Sequence, residues 1–213
     1  MLTAITFRKI LPSATAPIAQ TAWSAAFKAA DISLSSGNTV ATSSSAPATG
    51  GTVLSASSKN TGKFYAEMRN TFLGGYGSAI GAGIDLVASN LATYLGGDIN
   101  GMAAWVDGTG GTQRHTYKNA VTANAQTPGV WGLNTNCRIA VDVGAGKLWL
   151  SHWSATAWLG GGDPASGTSP TYTFTGGSTT WLAACPRASS NAIALVDPGS
   201  WLSAAPTGFG VWT

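Results

Sequence analysis

Residues 62–69 read GKFYAEMR, and Phe64, Ala66 and Met68 alternate with Tyr65, Glu67 and Arg69. A two-residue period is the pattern of a strand with one face turned to a core. It recurs in residues 137–143, where Arg138, Ala140 and Asp142 alternate with Ile139, Val141 and Val143. Residues 147–153 then place Leu148 and Leu150 on one face, and the intervening Gly144-Ala145-Gly146 predicts a hairpin with a three-residue connection. Ile32-Ser33-Leu34 and Thr39-Val40-Ala41 predict two short strands around a tight turn at Ser36-Gly37-Asn38. Residues 78–84 (SAIGAGI) predict a strand of small side chains, where another backbone or a large side chain must come close. Residues 171–175, 180–185 and 192–196 complete the expected strands. The polar, glycine-rich stretch 85–129 predicts short strands and large loops, with Trp105-Val106 and His115-Thr116-Tyr117 as paired segments. Residues 42–51 form a low-complexity loop of small residues, and residues 160–164 a flexible one.

Ahead of Trp23 the alternation is missing. Residues 1–21 carry Leu2, Ile5, Phe7, Ile10 and Leu11 ahead of two prolines, Pro12 and Pro17. They predict an extended assembly arm, with a short strand at residues 2–8, whose apolar side chains are buried against another subunit. Residues 22–213 then form one domain. Arg8-Lys9 ahead of an Ala-rich stretch invites comparison with a signal peptide, but Pro12 and Pro17 interrupt any apolar core. The expectation is a chain assembled in a host cytoplasm, with no signal peptide. No apolar run is long enough to span a bilayer, so membrane insertion is not expected.

Composition decides the fold class. Charged residues make up 9% of the chain, against about 25% in ordinary soluble proteins. Glu67 is the only glutamate, while Gly reaches 28 residues and Trp 9. A solvated helix needs charged or long polar side chains on its outer face, and this chain has few. Strands joined by Gly, Ser and Thr turns do not. The prediction is all-β: an antiparallel bent β-sandwich. The net charge of +3 arises from 11 Lys and Arg spread singly, without the clustering that a nucleic-acid groove shows, so no nucleic-acid partner is expected. Low charge with many Trp favours association, and a homo-oligomer is expected. Cys137 and Cys185 are too few for a disulfide scaffold and are read as free buried thiols.

Several segments in order carry a resemblance. Residues 62–67 (GKFYAE) resemble the "GKWYFEV" strand of SPRY domains, which share a concanavalin-like jelly-roll sandwich. Trp23 followed by DISLSSGN at 31–38 resembles their opening hairpin, and 78–84 their "GSVGVGI" strand. Residues 92–98 resemble the "YLGSD" step, 138–149 the "VIGVALDLDAGKLTFY" hairpin, and 206–209 the closing "PPGF". Six pieces in order cover residues 22–212. In texture the chain looks most like the Gly/Ser/Thr-rich SPRY-like modules of bacteriophage virions. Departures from the pattern are His152-Trp153 in place of a "KNG" turn and Cys185-Pro186 in the penultimate strand. The resemblance implies binding of proteins or glycans through loops.

The residue types agree with binding. No G-x-S-x-G occurs, and only His115 and His152 are available as bases. Glu67 with Asp85 or Asp98 is a formal glycosidase pair without any supporting spacing. Asp98, Asp107 and Asp163 in Gly-rich loops read as Asx turns, because no D-x-D-x-D spacing supports calcium. No enzyme activity, metal or cofactor is therefore expected. The candidate ligand-binding residues are aromatic: Tyr94, Trp105, Tyr117, Trp153 and Trp158, whose flat faces could stack on sugars or anchor a protein. Trp23, Trp149, Trp181 and Trp212 are assigned to the core. Two functions are open. One is a virion component (tail fibre, head spike or decoration protein) that contacts other virion subunits and host cell-surface polysaccharide. The other is a free lectin-like module.

Overall fold

A computed structural model describes residues 20–44, 51–72, 79–88, 91–107, 113–126, 134–151, 153, 157–187 and 190–213. The expected arm, with Leu2, Ile5, Phe7, Ile10 and Leu11, lies outside the described residues, apart from its last two positions. So does most of the low-complexity loop.

The described strands are, in order, β1 (Trp23–Lys28), β2 (Ile32–Ser35), β3 (Val40–Ser43), β4 (Val53–Lys59) and β5 (Lys63–Phe72). There follow β6 (Ala79–Asp85), β7 (Met102–Asp107), β8 (Gln113–Lys118), β9 (Val121–Gln126) and β10 (Asn136–Asp142). The last are β11 (Lys147–Leu150), β12 (Tyr172–Thr173), β13 (Thr180–Arg187), β14 (Ala192–Leu195) and β15 (Gly210–Val211). They build two sheets. The first has the order β1-β4-β13-β6-β7-β8-β9, and the second β12-β11-β10-β5-β14-β3-β2. Pairing is antiparallel throughout except at β15, which lies parallel to the start of β5. The predicted antiparallel sandwich is the observed fold.

Three predicted contacts are found where expected. The turn between β2 and β3 holds Ser36, Gly37 and Asn38 at φ of 53°, 66° and 64°. Trp105 pairs with His115 across β7 and β8. In the small-residue strand, a Cβ at Gly81 would stand 2.6 Å from the Trp105 ring, and one at Gly83 would overlap the Met102 carbonyl oxygen of β7. Other expectations are corrected. β1, β4 and β9 are strands although their Ser, Ala and Asn positions show little alternation; Trp23 of β1 and Val53 of β4 reach the main core, and Leu54 the outer cluster of the first sheet. The β10–β11 connection is four residues, Val143 to Gly146, and β11 ends at Leu150.

Burial explains why the alternation misleads. Between the sheets lies the main core, with Ala66, Met68, Ile139 and Val141 from one sheet facing Ile80, Ile84, Met102 and Leu182 from the other. The outer faces are covered as well. Leu91, Tyr94 and Leu95 from the β6–β7 connection cap Ala103, Trp105 and Ala183 on the first sheet. Trp158, Trp201, Ala205 and Phe209 cap Tyr65, Ala140 and Trp149 on the second. Residues 136–141 are therefore buried on both sides. Cys137 and Cys185 sit in different clusters as free buried thiols, as expected. Burial pushes both thiols up, Cys185 to about 12, so neither is a ready nucleophile. No helix among the described residues is long and apolar enough to cross a membrane.

Two outcomes follow from this packing. Gly83→Ala forces a methyl group into the β7 backbone, which cannot yield like a flexible side chain. A loss of about 1–3 kcal/mol or more is expected in denaturant unfolding, whereas Gly210→Ala, whose Cβ meets only the Lys63 carbonyl oxygen at 3.9 Å, should be near neutral. Asp85 closes β6, and burial raises its pKa from 3.8 to about 6, against a bond from the Val87 N–H. Since the folded value exceeds the unfolded one, this group's stability contribution is complete below about pH 4 and lost as pH rises through about 6. Asp85→Asn keeps an acceptor for Val87. It should be more stable than the parent at pH 7.5 by up to about 3 kcal/mol, and no more stable at pH 4, as thermal melts at both pH values would show.

Candidate functional site

Strand alternation sends Ala66 and Met68 into the core and leaves Tyr65, Glu67 and Arg69 on the outer face of the second sheet. Opposite them on β10 stand Ala140, Arg138 and Asn136. Glu67 is fully buried. A carboxylate removed from water must have its acceptors filled, and here four donors do so. Its Oε1 accepts from the Tyr65 hydroxyl at 2.6 Å and the Ser203 N–H at 3.1 Å. Its Oε2 accepts from the Leu202 N–H at 2.7 Å and from Asn136 Nδ2 at 2.5 Å. The Tyr65 hydroxyl is pushed well above its ordinary pKa, first by burial and then by this bond.

The same carboxylate thereby holds a segment of chain over the sheet. Asp197 starts that segment by accepting from the Gly199 N–H at 2.8 Å, and Trp201 donates from Nε1 to the Val196 carbonyl at 2.9 Å. Trp201 then meets Tyr65 edge to face at 4.7 Å. Arg138, opposite Glu67, lies 4.4 Å over the Trp158 ring and donates from Nη1 to Ser203 Oγ at 3.3 Å. Arg69 is aimed by a third link: its Nε donates to Asn136 Oδ1 at 2.8 Å. Beside it, Asn70 Oδ1 accepts from the Thr135 N–H at 2.6 Å and from its hydroxyl at 2.9 Å, fixing the turn into β10.

Between strand and segment an open hollow of about 360 Å³ remains. Arg69 and residues 134–136 line one side, and residues 200–202 the other. A second hollow of about 430 Å³ includes Leu86, Val87, Ile99, Lys118 and Phe174, where connections of the two sheets meet. There the Lys118 ammonium donates to the Thr173 carbonyl at 2.7 Å, and partial burial lowers its pKa.

The five aromatic residues expected to bind do not form one site. Trp105 is 3% exposed in the outer cluster of the first sheet, its Nε1 donating to the Leu95 carbonyl at 2.9 Å. Trp153 is fully buried between the sheets. A ring with no open face cannot stack on a ligand, so both expectations are corrected: these are core residues. Tyr94 is half-buried edge to face with Trp105, and Trp158 is half-buried beneath Arg138 on the opposite sheet. Tyr117 pairs with Ala103 in β8, and its side chain lies outside the described residues. Trp23, Trp149 and Trp212 are buried and Trp181 partly so, as assigned. Asp98 and Asp163 form the expected Asx turns, accepting from Asn100 and Ala165. The Asp107 side chain lies outside the described residues. Glu67, with its oxygens filled and on a different sheet from Asp85, faces no cleft as an acid. Sequence reasoning missed Arg69, Asn134, Thr135, Ser200 and Trp201; the N-T-N run ahead of β10 was the one available signal.

Solved structures share this architecture. The SPRY domain of human HERC1 superposes with a TM-score of 0.59 at 8% identity, covering 82% of this chain and 97% of that one. The PSpry domain of TRIM65 gives 0.57 at 14% identity, covering 84% and 92%. A stonustoxin structure gives 0.53 at 16% identity, covering 84% of this chain and 27% of the toxin. The fold is SPRY-like. No family model and no curated protein matches the sequence.

Glu67→Gln keeps the shape but turns one acceptor oxygen into a donor facing another donor. A loss of about 3 kcal/mol is expected, with faster amide exchange at Leu202 and Ser203 than at β13. Unchanged exchange at those two amides would mean that the segment is held by its aromatic contacts alone.

Proposed function

We propose that this chain is a non-catalytic binding domain and that the hollow beside Arg69 receives a hydroxyl-rich ligand such as cell-surface polysaccharide. One observation carries the reading. The hollow has a floor set by paired strands and a rim set by a segment stapled to a buried carboxylate, so its polar groups are held before any ligand arrives. Preorganised donors and acceptors with one aromatic wall suit a sugar, which offers hydroxyls at its edge and C–H groups on its faces. The setting we propose is a phage or phage-like particle carrying several copies. Its support is the charge-poor Gly/Ser/Thr texture and the weakness of each contact, since a hydrogen bond contributes only about 0.5–1.5 kcal/mol net. Clustered copies raise avidity by roughly 10²–10⁴ without new contacts.

A second reading, a contact with a neighbouring protein, is favoured by the other hollow, where Val87 is 37% and Ile99 64% exposed. Ser200 is exposed at the rim of the first hollow, so Ser200→Trp should fill it without disturbing the core. In biolayer binding to immobilised host polysaccharide, the clustered domain should lose at least tenfold in affinity on Ser200→Trp and nothing on Ile99→Ser. The reverse ranking would move recognition to the second hollow.

A further inference from the structure

We infer that the ligand of the hollow beside Arg69 carries a carboxylate, making the site a receptor for acidic sugar units such as uronic or sialic acid residues. This rests on the binding role proposed above and adds the ligand's charge.

Charge among residues 65–69 of β5 and the facing residues 136–140 of β10 does not balance. Arg138 and Arg69 bring two guanidinium groups, and Glu67 brings one carboxylate. Glu67 stands directly opposite Arg138 in the register, and its oxygens are filled by Tyr65, Asn136, Leu202 and Ser203. It has no acceptor left for Arg69. Asp197, on the covering segment, turns its Oδ1 to its own Gly199 N–H and does not line the hollow. Among the described residues no carboxylate forms an ion pair with Arg69.

The guanidinium is nevertheless held. Nε is fixed on Asn136 Oδ1, whose own amide is fixed on Glu67, and Nη2 makes a long 3.4 Å contact to the Ser200 carbonyl. The buried carboxylate therefore orients the arginine through an intermediate amide without neutralising it. Nη1 is left with both protons and Nη2 with one, and a parallel N–H pair from these two nitrogens matches a carboxylate in a bidentate fork. Around that cation the hollow is lined by the amide of Asn134 and the hydroxyls of Thr135 and Ser200, that of Thr135 left as an acceptor because it donates to Asn70, and by Trp201. Such a lining matches sugar hydroxyls on all sides of one acidic group. An acidic peptide would leave those amides and hydroxyls facing a largely apolar or single-point backbone contact.

The experiment is a glycan array printed with uronic- and sialic-acid oligosaccharides beside their carboxyl-reduced counterparts, with acidic peptides on the same surface. It is probed with the full chain, with Arg69→Gln, Arg69→Lys and Ser200→Trp, each first checked for an unchanged melt by circular dichroism. The expected result is binding to acidic sugars that falls at least tenfold on carboxyl reduction. Arg69→Gln should abolish that preference, and Arg69→Lys should retain part of it as a point charge. Binding that is blocked by Ser200→Trp but indifferent to carboxyl reduction would overturn the acidic ligand and leave the hollow as a neutral-sugar site. Binding to acidic peptides in place of sugars would overturn the ligand class, and binding to no spot at all would overturn both the inference and the binding role.

Discussion

The second sheet depends on one buried carboxylate. Glu67 is the chain's only glutamate, and the fold gives it no water. Leaving it there unpaired would cost several kcal/mol. Four donors from three separated stretches meet the requirement: a tyrosine two residues earlier, an asparagine on the neighbouring strand, and two backbone N–H groups more than 130 positions along the chain. None of these donors has another reason to converge. The carboxylate thus ties the last third of the chain to the middle of the sheet, and everything above that sheet inherits its position: Trp201 on Tyr65, Ser203 on Arg138, and the rim of the hollow.

A sandwich with both outer faces covered has an unusual composition problem. Ordinary antiparallel sheets turn one face to water and carry charged residues there. Here the connections fold back over both sheets, so strand positions that would be Lys or Glu are Ala, Tyr, Trp and Cys. The low charge and the high tryptophan count then share one cause. Tryptophan supplies large contact area both from strands, as at Trp105 and Trp149, and from the covering connections, as at Trp158 and Trp201, and the N–H groups of Trp105, Trp149 and Trp201 each find a backbone carbonyl. The few charges that remain on these faces are held by specific partners.

That same covering set the limit of what the sequence disclosed. Period-two alternation located β5 and β10 because it reports a strand whatever lies on its far side. The GAG run in β6 disclosed a close approach, and the structure supplies the Met102 carbonyl and the Trp105 ring at that place. The family resemblance ordered the strands into a sandwich. Burial of individual aromatics was not legible. Trp153 follows a strand and precedes small residues, which reads like a loop tip, but its ring turns inward between the sheets. Trp201, in PGSWLSAAP, has the same local texture and lies at the edge of a hollow. β1, β4 and β9 were hidden because Ser, Ala, Thr and Asn fill most of their positions, and Trp23, Val53 and Leu54 reach the clusters without a regular alternation to announce a strand.

The position of Arg69 follows from the same logic carried two residues further along β5, to the next outward position. Alternation places residues 65, 67 and 69 on one line across the outer face. The covering segment reaches residue 67 through Leu202 and Ser203, but meets residue 69 only at the long Ser200 carbonyl contact. Cover thins between these two positions, which two residues of strand rise put about 7 Å apart. The first charge is sealed and neutral in its surroundings, and the next faces the hollow with its orientation already set by Asn136. A site of this kind needs no special loop sequence. It arises where a stapled segment ends, on a strand whose next outward residue is charged.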